Sequence, residues 1–258
     1  MALIDTHIHL NDEIYQSEAA EIAANFELDG IECAINVGYD FPSSVKALEQ
    51  ANEFNHLCAA IGIHPHDSRT ATQDMYDEFI KMARDNHVVA IGEIGLDYHW
   101  DADFKEAQKK VFREQIELAD MLHLPIMLHI REAYDDARQI LSDAKSYLNN
   151  GVHMHCYSGS KEMLDIFNKF DCYYSFGGAI TFKNARRNVE ALMNVPKDRL
   201  LTETDCPYMT PVPYRGKVNY PKYVNLVADK MSEVLGLERE EIDSITVNNA
   251  KMLYKRMR

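Results

Sequence analysis

Short apolar runs rich in β-branched and small residues recur along the chain. They are separated by longer stretches in which apolar residues return every three or four positions. Runs of the first kind read as buried strands, and stretches of the second kind as amphipathic helices laid against them. Strands are expected over residues 3–7, 31–37, 56–62, 87–92, 125–129, 152–155, 172–176 and 200–203. Between them, Phe104, Ala107, Val111, Leu118 and Leu122 share one helical face, as do Tyr134, Ala137, Leu141, Ala144 and Leu148. Tyr223, Val227 and Met231 predict a further helix, and Ile242, Ile245, Asn249 and Leu253 a terminal one. Gln115 falls on the first of these faces, where a polar residue reads as a hydrogen-bonded structural contact. Strand and helix alternating through eight units predict an α/β TIM (β/α)8 barrel, with residues 1–258 as one domain. An open doubly wound sheet is the alternative, but a clear Gly-x-Gly-x-x-Gly turn is absent after the first strand.

Charge narrows the range of functions. Lysine and arginine total 27 against 41 acidic residues, a net charge of -14. That balance argues against a broad basic surface for long duplex nucleic acid, while a locally basic or metal-filled cleft stays compatible with it. Asp5, His7 and His9 interrupt any apolar start, and no segment approaches the roughly 18 apolar residues of a membrane span. A cytoplasmic protein without membrane contact or an evident obligate protein partner is expected. The five cysteines are odd in number and lack a Cys-x-x-Cys pair. They read as small buried residues rather than as a disulfide framework or structural zinc site.

The candidate chemistry lies where strands are expected to end. His7 and His9 are two apart in the first strand, so both imidazoles can point to one side. Glu93 is placed at the end of the fourth strand, His129 of the fifth and His155 of the sixth, and Asp205 follows the eighth. A barrel gathers its strand C-termini into one mouth. Four imidazoles and two carboxylates gathered there can hold two divalent ions, with a carboxylate bridging them and a shared water of lowered pKa. His153 shares a face with His155 and is an alternative ligand, with the position nearer the strand end preferred. His64 and His66 frame Pro65 after the third strand, where a histidine either contacts substrate or is simply exposed.

These segments resemble those of the TatD family of metal-dependent deoxyribonucleases, within the amidohydrolase-like metal barrels, over essentially the whole chain. The resemblance is carried by Asp5-Thr6-His7-Ile8-His9, Gly62-Ile63-His64-Pro65-His66, the 90–98 segment around Glu93, and Pro125 to Arg131. His155-Cys156-Tyr157-Ser158-Gly159 and the 201–208 block with Pro211, Pro213, Arg215-Gly216 and Asn219 complete it. It implies one ion on His7, His9 and Asp205, another on His129 and His155, and Glu93 between them; magnesium, zinc and manganese are all admissible. It also implies a substrate-phosphate contact at His64. Tyr157, Ser158 and Cys206 depart from the family's commoner Phe, Thr and Ala, which bears on fine substrate preference.

The expected reaction is phosphodiester hydrolysis at nucleic-acid ends, DNA above all, by a metal-activated water, with Asp205 and Glu93 as catalytic residues. Arg131 and Arg215 are candidate phosphate contacts. Gly177-Gly178 with Thr181 and Lys183 is a candidate backbone phosphate site, and Tyr98, Tyr157 and Tyr208 are candidates for stacking on bases. Ester or amide hydrolysis, including aminoacyl-tRNA deacylation, is the alternative for the same donors. A catalytically silent scaffold is the third reading.

Overall fold

The computed structural model describes residues 2–100 and 102–257. Eight strands lie in the order of the sequence, every neighbouring pair parallel: β1 (Leu3–Ile8), β2 (Ile31–Val37), β3 (Leu57–Ile61), β4 (Val88–Asp97), β5 (Ile126–Arg131), β6 (Val152–Met154), β7 (Cys172–Phe176) and β8 (Leu200–Thr202). Helices fill the intervals: α1 (Ala19–Ala24), α2 (Phe41–Glu53), α3 (Gln73–Met82), α4 (Lys105–Met121), α5 (Tyr134–Asp143), α6 (Lys161–Phe167), α7 (Arg186–Leu192), α8 (Val224–Leu235) and α9 (Arg239–Leu253). This is the (β/α)8 barrel that the alternation of patterns predicts. No helix among the described residues is long and apolar enough to cross a membrane.

The barrel closes between its first and last strands. The Asp205 amide donates to the His7 carbonyl at 2.9 Å, and the His9 amide to the Cys206 carbonyl at 2.8 Å. Below them the Thr6 hydroxyl donates to the Thr202 carbonyl and the Thr202 hydroxyl to the Ile4 carbonyl, at 2.9 and 3.0 Å. Reciprocal side-chain bonds thus satisfy buried carbonyls where β8 is too short to supply a full ladder.

Apolar residues divide between two packing regions because strand side chains alternate. Leu3, Ile31, Leu57 and Ile126 pack with helical Phe79, Phe112 and Phe167 outside the sheet. Ile4, Ile35, Val37 and Met127 instead pack with Leu253, Tyr254 and Met257 at the end of α9. The last helix and the residues after it therefore close one end of the barrel, leaving the strand C-termini open at the other.

Helix α4 clamps two strand ends. Gln115 accepts from the Ile63 amide at 2.8 Å and donates to its carbonyl at 3.0 Å, the structural role expected of it. Gln108 treats Asp97 alike, accepting from its amide at 2.9 Å and donating to its carbonyl at 3.0 Å.

The fourth strand corrects one expectation. Glu93 does not end it, since β4 continues to Asp97. Pairing with β5 shifts register between Ile91 and Ile94: three steps on β4 match the two from Ile126 to Leu128 on β5. The extra residue forms a bulge, and the ladder resumes beyond it. Alternation alone does not reveal this, because the segment is apolar on both sides of Gly92.

Candidate active site

His9, His155 and His129 each have the far ring nitrogen occupied, which fixes where the lone pair points. His9 Nδ1 donates to the Val37 carbonyl at 2.9 Å, leaving Nε2 for the centre. His155 Nδ1 lies 3.2 Å from Glu203 Oε2 and donates to it, so its Nε2 faces Glu93 Oε1 at 3.1 Å. His129 Nε2 donates to Asp97 Oδ2 at 3.0 Å, and its Nδ1 meets Glu93 Oε1 at 2.7 Å. His7 differs: its Nδ1 is buried without a partner among the described residues, while Nε2 lies 3.1 Å from His9 Nε2.

Glu93 stands between two donor groups. Oε2 faces His7 and His9 at 3.6 and 3.9 Å, whereas Oε1 faces His129 and His155. Asp205 Oδ1 completes the first group, 3.7 Å from His7 Nε2 and 3.6 Å from His9 Nε2. Burial works against charge on Glu93, yet the imidazoles of His155, His7 and His129 hold its carboxyl well below the usual carboxylate range. Burial also works to lower the pKa of His155, but Glu203 and Glu93 together raise it well above the ordinary imidazole value. His129 is raised as well, with Asp97 and Glu93 overcoming burial.

The donor set fits divalent cations. The ligand atoms of His7, His9 and Asp205 lie within 4.8 Å of one another, as do those of His7, Glu93 and His155, and of His64, Glu93 and His129. Neutral imidazole lone pairs and carboxylate oxygens are the ligands that zinc and manganese favour, and carboxylates also serve magnesium.

His64 is brought into this group in a different role. Its Nδ1 accepts the His66 amide at 3.2 Å, placing the ring proton on Nε2, 3.9 Å from Glu93 Oε1. Burial, then the neighbouring His129, lower its pKa well below the ordinary value, so it is neutral and presents an N–H. That suits a donor to an anionic oxygen better than a metal ligand.

His153 is not a ligand, because both its nitrogens are engaged: Nδ1 with the Tyr254 hydroxyl and Nε2 with Ser175 Oγ, each at 2.6 Å. Ser175 donates to Glu203 Oε2 at 2.6 Å, so His153 must donate from Nε2 and accept Tyr254 at Nδ1. One directed chain of hydrogen bonds therefore runs Tyr254, His153, Ser175, Glu203 and, from the other side, His155.

Sequence reasoning missed three buried carboxylates that orient this site. Asp97 and Glu203 hold His129 and His155. Asp5 accepts the Thr204 amide and hydroxyl at 2.9 and 2.7 Å, fixing the turn that carries Asp205. Their signal was available as an acid two to four residues from three of the six expected ligands, within otherwise apolar runs: Asp5 before His7, Asp97 after Glu93 and Glu203 before Asp205.

The donors floor a cavity of about 430 Å³ at the strand C-termini, which Arg131, Tyr39 and Tyr208 also line. Tyr157 and Tyr98 do not reach it as proposed stacking residues. Tyr157 is 2% exposed, packed on Tyr174 and Phe176, with its hydroxyl donated to the Ser160 carbonyl. Tyr98 bonds Asp136 at 2.6 Å beneath Lys105. Arg215 lies outside this lining, its guanidinium 4.1 Å above the Phe182 ring. Gly178 is packed against the Met209 carbonyl, where a Cβ would come within 1.9 Å, so the loop after β7 supports the β8 loop.

Residues 4–255 match the family described as TatD related DNase. The chain belongs to the TatD family. It is 44% identical to the metal-dependent hydrolase YabD of Bacillus subtilis, covering 98% of this chain and 99% of that protein. It is 32% identical to the metal-dependent hydrolase YcfH of Escherichia coli K12, covering 98% of this chain and 96% of that protein. The crystal structure of YjjV, a TatD homologue of Escherichia coli, superposes with a TM-score of 0.91 at 26% identity, covering 98% of each chain. A TatD family hydrolase of Entamoeba histolytica shares the fold, with a TM-score of 0.85 at 22% identity over 98% of each chain.

Proposed function

We propose that this TatD family chain is a metal-dependent hydrolase with two divalent ions that cleaves phosphodiester bonds at the ends of DNA strands. The observation that carries the reading is the division of Glu93 between two donor groups, one oxygen to each. Two ions held on either side of Glu93 would supply Lewis acidity and a water of lowered pKa, the combination that serves in-line displacement at phosphorus.

The chain's own groups have separable tasks. His7, His9 and Asp205 would hold one ion and His129 with His155 the other. Asp205, partly open to the cavity, is positioned to take the proton of the attacking water. His64 presents an Nε2–H to a non-bridging phosphoryl oxygen. Arg131 brings a guanidinium to a cavity whose lining also carries the carboxyl groups of Asp67, Glu93, Asp97 and Asp205. A fork of N–H donors matches phosphate geometry. The cavity falls within the roughly 300–1,000 Å³ of small-ligand sites, which suits a strand end rather than a duplex. That explains how a chain of net charge -14 accommodates nucleic acid: it engages only the terminus.

The deciding experiment compares end-labelled single strands, duplex DNA, RNA, aminoacyl esters and model phosphodiesters, using one preparation titrated with magnesium, manganese and zinc. Metal-dependent release from DNA ends, abolished in Asp205→Ala, is expected. Hydrolysis of aminoacyl esters with no phosphodiester cleavage would transfer the same donors to ester chemistry and refute the nuclease reading.

A further inference from the structure

The cavity rim carries a residue to which none of the preceding roles applies. Trp100, the one tryptophan of the chain, is 65% exposed and lines the cavity. A single exposed apolar side chain is ordinary; what marks this one is its place at the edge of a polar cleft, on a loop anchored to the site.

Its placement is built rather than incidental. Asp97 Oδ1 accepts the amides of His99 and Trp100 at 2.8 and 3.1 Å, while Oδ2 of the same carboxylate holds His129. The loop carrying the indole is therefore anchored to the carboxylate that orients a candidate metal ligand. His99 stands edge-on to the indole, with centroids 4.7 Å apart, and its Nδ1 is tied to Glu132 at 2.8 Å. Arg131, adjacent to Glu132, places its guanidinium carbon 5.6 Å from the Trp100 ring centroid. A flat aromatic surface and a phosphate-binding fork thus share one side of the cavity, beside His129. Tyr39 and Tyr208 lie on the opposite side, against His9.

We propose that Trp100 and Arg131 form a nucleotide subsite in which the indole stacks on a base flanking the scissile phosphate and the guanidinium binds the adjoining phosphate. The chemistry selects a nucleobase-bearing single strand, since a paired base offers its face to its own neighbours. Stacking is indifferent to base identity, so the subsite favours unpaired ends without reading sequence. The inference rests on the phosphodiesterase reading and narrows its substrate.

A single tryptophan makes the test direct. Metal-loaded protein is titrated with a short phosphorothioate-linked oligodeoxynucleotide and with the same backbone lacking bases, following intrinsic fluorescence. Saturable quenching by the first and little response to the second are expected. In parallel, Trp100→Ala should raise KM for base-bearing strands roughly ten-fold with kcat nearly unchanged, leave abasic strands unaffected, and be largely rescued by Trp100→Phe. Identical responses to both strands, or an unchanged KM in Trp100→Ala, overturn the subsite while the nuclease reading stands if hydrolysis persists. Quenching without hydrolysis of any phosphodiester instead refutes the nuclease reading and leaves the subsite in place.

Discussion

Glu203 is fully buried and touches the proposed ions only through His155, so Glu203→Gln tests the effect of its charge without removing a ligand. The two oxygens have different surroundings. Oε2 accepts both Ser175 Oγ and His155 Nδ1, whereas Oε1 has no hydrogen-bond partner among the described residues. A glutamine carbonyl can replace Oε2 in both bonds, and its amide then occupies the Oε1 position. The shape and both bonds survive; what is lost is the charge that makes His155 a stronger donor to the ion. Removing a carboxylate behind a ligating imidazole costs about 10–100-fold in metal affinity, or about 1.4–2.7 kcal/mol. Stability of the metal-free protein should move little, because a buried charge with one unpaired oxygen gives way to a neutral group with one unpaired amide. Chelator competition measures the affinity and thermal melting in chelator measures the stability. Affinity within about three-fold of the parent, with both ions retained, would refute the claim that the charge of Glu203 strengthens His155 as a ligand.

Glu93→Gln should lower metal-dependent activity by more than about 100-fold and leave fewer than two ions per chain by elemental analysis, since it removes a ligand rather than its support. Arg131→Ala should raise KM for DNA ends roughly ten-fold with a smaller change in kcat, measured on end-labelled strands, because it removes a charge-assisted contact common to ground and transition states. Metal occupancy should fall on acidification between about pH 8 and about pH 5. His155 and His129 have raised pKa values, so protons compete for them above the ordinary imidazole value, while Glu93, held low, stays charged. Equilibrium dialysis across that range checks the sign, and occupancy that is flat or rises in acid contradicts it. Gly95→Ala should destabilise the fold by about 2–4 kcal/mol in denaturant melts. Gly95 has φ +141°, and a Cβ there would meet the His129 carbonyl at 2.1 Å.

The fold was legible because each strand is a short apolar run bounded by helical periodicity; β2 and β7 match their expected ranges to the residue. Convergence of His7, His9, Glu93, His129, His155 and Asp205 followed from the barrel alone, since topology places strand ends together whatever the details of packing. Details that depend on partners far along the chain were not legible. Tyr157 and Tyr98 sit just beyond ligand segments, as a stacking residue should, but their orientation is set by Tyr174, Phe176 and Asp136. His153 and His155 share a face, and although the position nearer the strand end favoured His155, the partners that occupy both nitrogens of His153, Tyr254 and Ser175, were not legible. Trp100 lies in a loop without periodicity, where sequence offers composition but no direction.

The closing seam of the barrel also sets a timetable. His7 and His9 leave the ribosome well before Asp205, whose backbone bonds the His7 carbonyl across that seam. A nascent chain shorter than this carries imidazoles without the acid that completes their group and without the strand that closes the wall behind them. The group of His7, His9 and Asp205 is therefore assembled only once β1 and the segment after β8 have met, so the donors and the wall behind them form in one closing step.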